Sequence, residues 1–195
     1  MRRLARFSVL GLLVFALPIA FAQPSQARIV YTQTNQTISD GGSLTIDFNH
    51  DGTTDVTISQ SYNKGGCFYD FVGAFPSTGD AIVSNKQTLE GYWASALLAG
   101  QPIWQGSPYA PGFAILLDDF GGPGPGCSGG YGNGYWGNNG PHYLGAAFVK
   151  NGRVHFAWAQ LDVTVYNGRV RSITTTLTGF AYQTIVGKQI LAGQT

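Results

Sequence analysis

Two Asn-Gly dipeptides constrain this chain more than any other feature. Asn151-Gly152 and Asn167-Gly168 separate three strand-length runs, residues 143–150, 153–166 and 169–181. Asn-Gly supplies the two positive φ angles that a type I′ hairpin turn demands, so the three runs predict an antiparallel meander. In the middle run, Val154, Phe156 and Trp158 share one face, and Ala157, Ala159, Leu161 and Val163 share the other. A strand with apolar side chains on both faces must be covered on both sides. That requirement points to an all-β sandwich or jelly-roll-like domain.

The rest of the chain has the same character. Glu90 is the only glutamate, and charged residues make up 11% of the sequence, whereas surface helices draw on Glu, Lys and Ala. Leu44, Ile46 and Phe48 alternate with Ser43, Thr45 and Asp47, and Val56 and Ile58 resume the alternation after an Asp-rich turn, which predicts a hairpin. Residues 68–75 and 113–117 read as further strands, the latter ending at Asp118-Asp119. Residues 89–98 place Leu89, Trp93 and Leu97 at helical spacing before Gly100, which predicts one short helix. Ten of the 20 residues in 121–140 are glycine, too many for regular structure, so this segment reads as a loop. It carries Tyr131, Tyr135 and Trp136. These aromatics form a stacking surface for a sugar or protein if the loop presents them, and a cover for the sheet if it folds back.

The N-terminus reads as a secretory signal peptide, residues 1–22. Arg2, Arg3 and Arg6 are followed by an apolar stretch and an Ala20-Phe21-Ala22 cleavage site, and the stretch is too short for a stable membrane anchor. The flank of Arg2-Arg3 fits the general secretory route better than twin-arginine export. A mature domain of residues 23–195 is then expected outside the cytoplasm, secreted or periplasmic. Losing three arginines leaves 8 Lys+Arg against 10 Asp+Glu, a net charge of −2. Beyond Arg169 and Arg171 no basic cluster exists, which argues against a nucleic-acid partner, and no other run has the length of a membrane span. In an oxidising compartment Cys67 and Cys127 are expected to pair. The disulfide would close a 60-residue loop and contribute roughly 4 kcal/mol.

One motif carries metal chemistry. Asp47, Asn49 and Asp51 stand at positions 1, 3 and 5 of a calcium loop, with Gly52 at the sharp turn, the Thr53 carbonyl at position 7 and Asp55 at position 9. Ile58 occupies position 12, where an EF-hand needs a bidentate glutamate, and the flanks are strands. A shorter structural Ca²⁺ loop on a hairpin is the expectation, with a solvated Asp-Gly turn as its alternative. Two other matches fail on context. Gly126-Cys127-Ser128-Gly129-Gly130 fits the nucleophile elbow, and Gly124, Gly126 and Gly129 fit the dinucleotide fingerprint, yet both lie in the glycine tract without strand-turn-helix surroundings. His50, His142 and His155 lack metal spacing. His155 is expected as a hydrogen-bonded strand residue and His142 as a loop residue.

The blocks His155-Phe156-Ala157-Trp158-Ala159-Gln160-Leu161 and Gly179-Phe180-Ala181-Tyr182-Gln183-Thr184 resemble a pair found in exported bacterial proteins of the PEP-CTERM type, H-Y-G-W-A-x-L and G-Y-A-Y-E-T. The Asp-rich loop is similar to one those proteins carry. The resemblance implies a secreted β-domain and no catalytic residue. The C-terminal sorting motif is missing from Gly193-Gln194-Thr195, so surface anchoring by that route is not expected. The leading expectation is a non-catalytic envelope or extracellular protein that acts by binding or structure. A lectin-like glycan binder would use Tyr131, Tyr135 and Trp136, with Trp93 or Trp104. A glycoside hydrolase or lyase would use Glu90 with Asp118 or Asp119.

Overall fold

The first Asn-Gly turn forms as its chemistry demands, with φ of 51° at Asn151 and 71° at Gly152. In the computed structural model, which describes residues 28–63, 68–88, 91–121, 131–137, 140–167 and 171–195, this turn joins β11 (His142–Lys150) to β12 (Arg153–Asn167), which pairs in turn with β13 (Arg171–Gln183). Gly168 lies outside the described residues. Before the meander come β1 (Ile29–Ser39), β2 (Ser43–Ile46), β3 (Val56–Asn63), β4 (Phe68–Pro76), β5 (Ala81–Thr88), β6 (Gly91–Ala94), β7 (Pro102–Ile103), β8 (Tyr109–Ala110), β9 (Ala114–Gly121) and β10 (Tyr131–Gly134). After it comes β14 (Ile190–Leu191).

Twelve strands form one all-β sheet, ordered β1-β13-β12-β11-β5-β6-β9-β4-β3-β2, with β10 beside β9 and β8 beside β5. Its two outer strands, β1 and β2, are consecutive in the chain and meet at the turn of residues 40–42, where φ is 25° at Asp40 and 78° at Gly41. The sheet therefore rolls until its rims approach, giving a sandwich or barrel-like body. Gln60 in β3 ties the far sides together: its main-chain N–H reaches the Gly42 carbonyl at 2.9 Å and its Nε2 the Ile173 carbonyl of β13 at 2.8 Å. β1 ends at Ser39 opposite Thr174, so Ile173 has no β1 partner there.

Both faces of β12 are covered at Phe156 and Trp158, whereas Val154 on the same outer face stays 43% exposed. Ala157, Ala159, Leu161 and Val163 join the main core inside the roll with Ile46, Phe48, Ile58, Leu117, Leu144 and Phe148. Phe156 and Trp158 point outward into a second cluster with Val83, Ile103, Ala181 and Ile190. The small β7–β14 sheet caps this outer cluster, and Trp158 Nε1 donates to the Gln194 carbonyl at 3.1 Å.

Two expectations from the sequence need correction. Residues 89–98 form no helix over their described part: β6 lies between β5 and β9, with Trp93 and Ala94 buried, and Leu97 bridges to Tyr143. Burying apolar groups on a sheet outweighs the weak helical signal of three matching positions. The glycine tract is not all loop either, because β10 pairs with β9 from Tyr131↔Phe120 to Gly134↔Leu117. Gly134 adopts φ +125°, and a Cβ there would collide with the Leu116 carbonyl, so glycine permits the close pairing.

Packing across the two faces of β11 sets a testable limit. A Cβ on Gly145 would meet Val83 Cγ2 at 2.7 Å, Leu97 Cδ1 at 3.0 Å and Ile103 Cγ1 at 3.1 Å. Gly145→Ala is expected to cost about 1–3 kcal/mol. In urea unfolding this should lower the midpoint at unchanged slope; an unaltered midpoint would show that the outer cluster is loosely packed.

Candidate metal loop

The hairpin of β2 and β3 presents residues 47–55. Phe48 anchors the segment: its ring is fully buried, 5.5 Å from Phe148 and 6.0 Å from Phe180. The neighbouring polar groups then have no choice but to organise the turn. Asp47 accepts the Asp51 N–H on Oδ1 at 3.2 Å and the Gly52 N–H on Oδ2 at 2.8 Å, and Asp51 Oδ1 accepts the Thr53 N–H at 2.9 Å. Left-handed backbone at His50 (57°) and Gly52 (88°) makes the reversal. Asp55 lies beneath, buried, with Oδ2 accepting the Phe48 N–H at 2.7 Å. His50 shares a 2.7 Å hydrogen bond with Thr32 of β1, and its ring rests on Phe180.

The five positions read from the sequence are thus brought into one turn. The donors suit a hard cation: three carboxylates, the Asn49 amide and the Thr53 carbonyl. Both polar atoms of the Asn49 amide are buried without a well-aligned hydrogen bond, although the Asn49 side chain lies near enough to Asp51 to help lower its carboxyl. Among the described residues, no group of three or more His, Cys, Asp or Glu is placed to hold a metal ion by those side chains alone.

Electrostatics distinguish the carboxylates. Burial pushes Asp55 up to about 7, against the Phe48 N–H, with the charges of Asp80, Asp47 and Asp51 adding to the rise. Burial also raises Asp80, which accepts the Val149 N–H at 2.8 Å. Asp51 is held below the usual carboxylate range, foremost by the Thr53 N–H. Asp80 escaped the sequence reading because it is 25 positions from Asp55 and belongs to no motif. Ser77, whose N–H donates to the Asp55 carbonyl at 2.8 Å, was hidden for the same reason.

The other sequence candidates are scattered. Trp136 is fully buried, its Nε1 donating to the Ala94 carbonyl at 3.1 Å, so it offers no face to a ligand; Gly137 beside it bridges to Val163 as the segment folds back. Tyr135 is 47% exposed and Trp104 49%, while Trp93 is buried. Tyr131 begins β10. Asp118 and Asp119 lie within β9 rather than at its end, and Asp118 is buried. His155 is a buried, hydrogen-bonded strand residue, and His142 opens β11 instead of sitting in a loop. The signal segment 1–22, Cys67, Cys127, Glu90 and residues 126–130 fall outside the described residues. Comparison of the chain with protein-family models, with curated proteins and with solved structures finds no match in any of the three.

The raised Asp55 pKa has a definite sign. A carboxyl that holds its proton more tightly folded than unfolded adds stability at low pH, and that contribution is lost as pH rises through the folded value. Without added metal, stability is therefore expected to fall between about pH 4 and pH 7.5. Asp55→Asn keeps an acceptor for the Phe48 N–H without a charge, so it should flatten this slope. Urea midpoints across that range check it, and parallel slopes for parent and variant would acquit Asp55.

Proposed function

We propose that the chain is a non-catalytic domain exported from the cytoplasm, acting in the envelope or extracellular matrix by binding or structure, with a structural Ca²⁺ ion in the loop of Asp47, Asn49, Asp51, Thr53 and Asp55. The observation that carries the calcium reading is the closed Asp turn seated on Phe48, in which Asp47 and Asp51 order the backbone beside a buried Asn49 amide. A cation would neutralise crowded carboxylates and favour the charged form of Asp55. The signal-like N-terminus and the similarity to PEP-CTERM-type secreted proteins support the compartment. A Cys67–Cys127 disulfide suits it too. In the described residues no helix is long and apolar enough to cross a membrane.

A lectin-like activity is the second reading, favoured by the exposed rings of Tyr135 and Trp104. Depletion of the mature protein by host envelope but not by insoluble neutral polysaccharides would favour the first reading; the reverse would favour the second.

Calcium at about a hundredfold above its dissociation constant should raise the melting temperature by roughly 5–10 °C. Asp51→Ala should abolish that rise. Identical melts with and without calcium would reduce residues 47–55 to a hydrogen-bonded turn.

A further inference from the structure

A second polar site lies at the tip of the β11–β12 hairpin, where Lys150 and Arg153 meet His155, Tyr182 and Thr184. A pocket of about 620 Å³ is lined there by Lys150, Asn151, Arg153, His155, Tyr182, Thr184 and Val186. Its charge arrangement is unusual. Lys150 and Arg153 are direct cross-strand partners on either side of the Asn151-Gly152 turn, and like charges facing each other across a ladder repel. Among the described residues neither forms an ion pair. Lys150 is held over the Tyr182 ring, its Nζ 5.5 Å from the centroid, which keeps the ammonium at the pocket.

His155 adds a directed donor or acceptor. It is 5% exposed, and its Nδ1 meets the Gln183 carbonyl at 2.9 Å. A carbonyl only accepts, so Nδ1 carries the proton and Nε2 remains for a ligand. Nε2 makes no hydrogen bond among the described residues. Thr184 supplies a hydroxyl, which already accepts the Arg28 N–H at 3.3 Å and keeps its own proton to donate.

We propose that this pocket binds a carboxylate-bearing sugar unit of an acidic polysaccharide. The carboxylate would relieve the Lys150–Arg153 repulsion through charge-assisted hydrogen bonds, with hydroxyls paired to His155 Nε2 and Thr184. The chemistry and shape select this class. The volume lies in the range of small-molecule pockets and far exceeds a bare inorganic anion. Two cations in a concavity do not make the basic stripe of a nucleic-acid binder, and a flat lipid surface would not enter it. The Lys150 charge also reaches Asp51, whose carboxyl it lowers slightly. The inference names a partner for the envelope or matrix role proposed above and makes no use of the calcium loop.

The test is calorimetric titration of the mature protein in resin-treated, calcium-free buffer. The probes are trigalacturonate, its uncharged methyl ester and sodium sulfate. Trigalacturonate is expected to bind and to move the His155 imidazole resonances, with the ester and sulfate each at least about tenfold weaker. Lys150→Gln and Arg153→Gln should each weaken trigalacturonate about tenfold at unchanged melting temperature, whereas Lys188→Gln, an exposed cation outside the pocket, should leave it unaltered. Equal binding of acid and ester, sulfate as tight as the sugar acid, parent-like binding by both pocket variants, or no binding at all would each overturn the proposal. If host envelope still depletes a protein that ignores trigalacturonate, the pocket assignment falls and the envelope reading stands.

Discussion

Phe48 holds the two distant parts of the sheet together. It follows β2, at one end of the strand order, yet its ring packs on Phe148 of β11 and Phe180 of β13, near the other end. A rolled sheet gains stability only if side chains from opposing walls meet, since each wall alone would leave its apolar face wet. Gln60 reinforces the same closure by donating to a main-chain carbonyl of β13 beyond the end of β1. Because Phe48 lies inside the Asp-rich segment, sheet closure and loop geometry depend on one residue. The Phe48 N–H on Asp55 makes the dependence mutual.

Much of the fold was readable because its signals are local. Asn-Gly turns and period-two alternation act over a few residues, so the meander and the β2–β3 hairpin were legible, as was the burial of Phe156 and Trp158 on the outer face of β12, though Val154 beside them is exposed. What failed was decided at long range. Trp93 joined a strand because β5 and β9 offered a slot between them, and pairing with β9 drew the glycines of β10 into the ladder. No window of sequence around either segment contains that information. Strand order was illegible for the same reason: the roll places β5 between β11 and β6.

The candidate site divides along the same line. Asp47, Asn49, Asp51, Thr53 and Asp55 were legible from spacing, since a nine-residue turn is a local object. Their inequality was not. The high Asp55 pKa comes from burial, opposed by the Phe48 N–H, and from the charge of Asp80, which stands just before β5. Trp136 shows the converse, an aromatic in a glycine-rich segment that looked available and is part of the core. The facing cations Lys150 and Arg153 could have been found, because a two-residue turn makes its flanks partners by construction.

The sheet's two rims impose an order on its formation. Ile29 finds its partner in Gln183, and every β1 pairing joins residues more than 130 positions apart. Strand β1 is thus early in the chain but has no ladder to join until β13 exists. Such contact order makes folding slow relative to a helical bundle of equal size, because the loop must close before any contact rewards it. A chain of this topology keeps β1 without its ladder until its last long strand has formed.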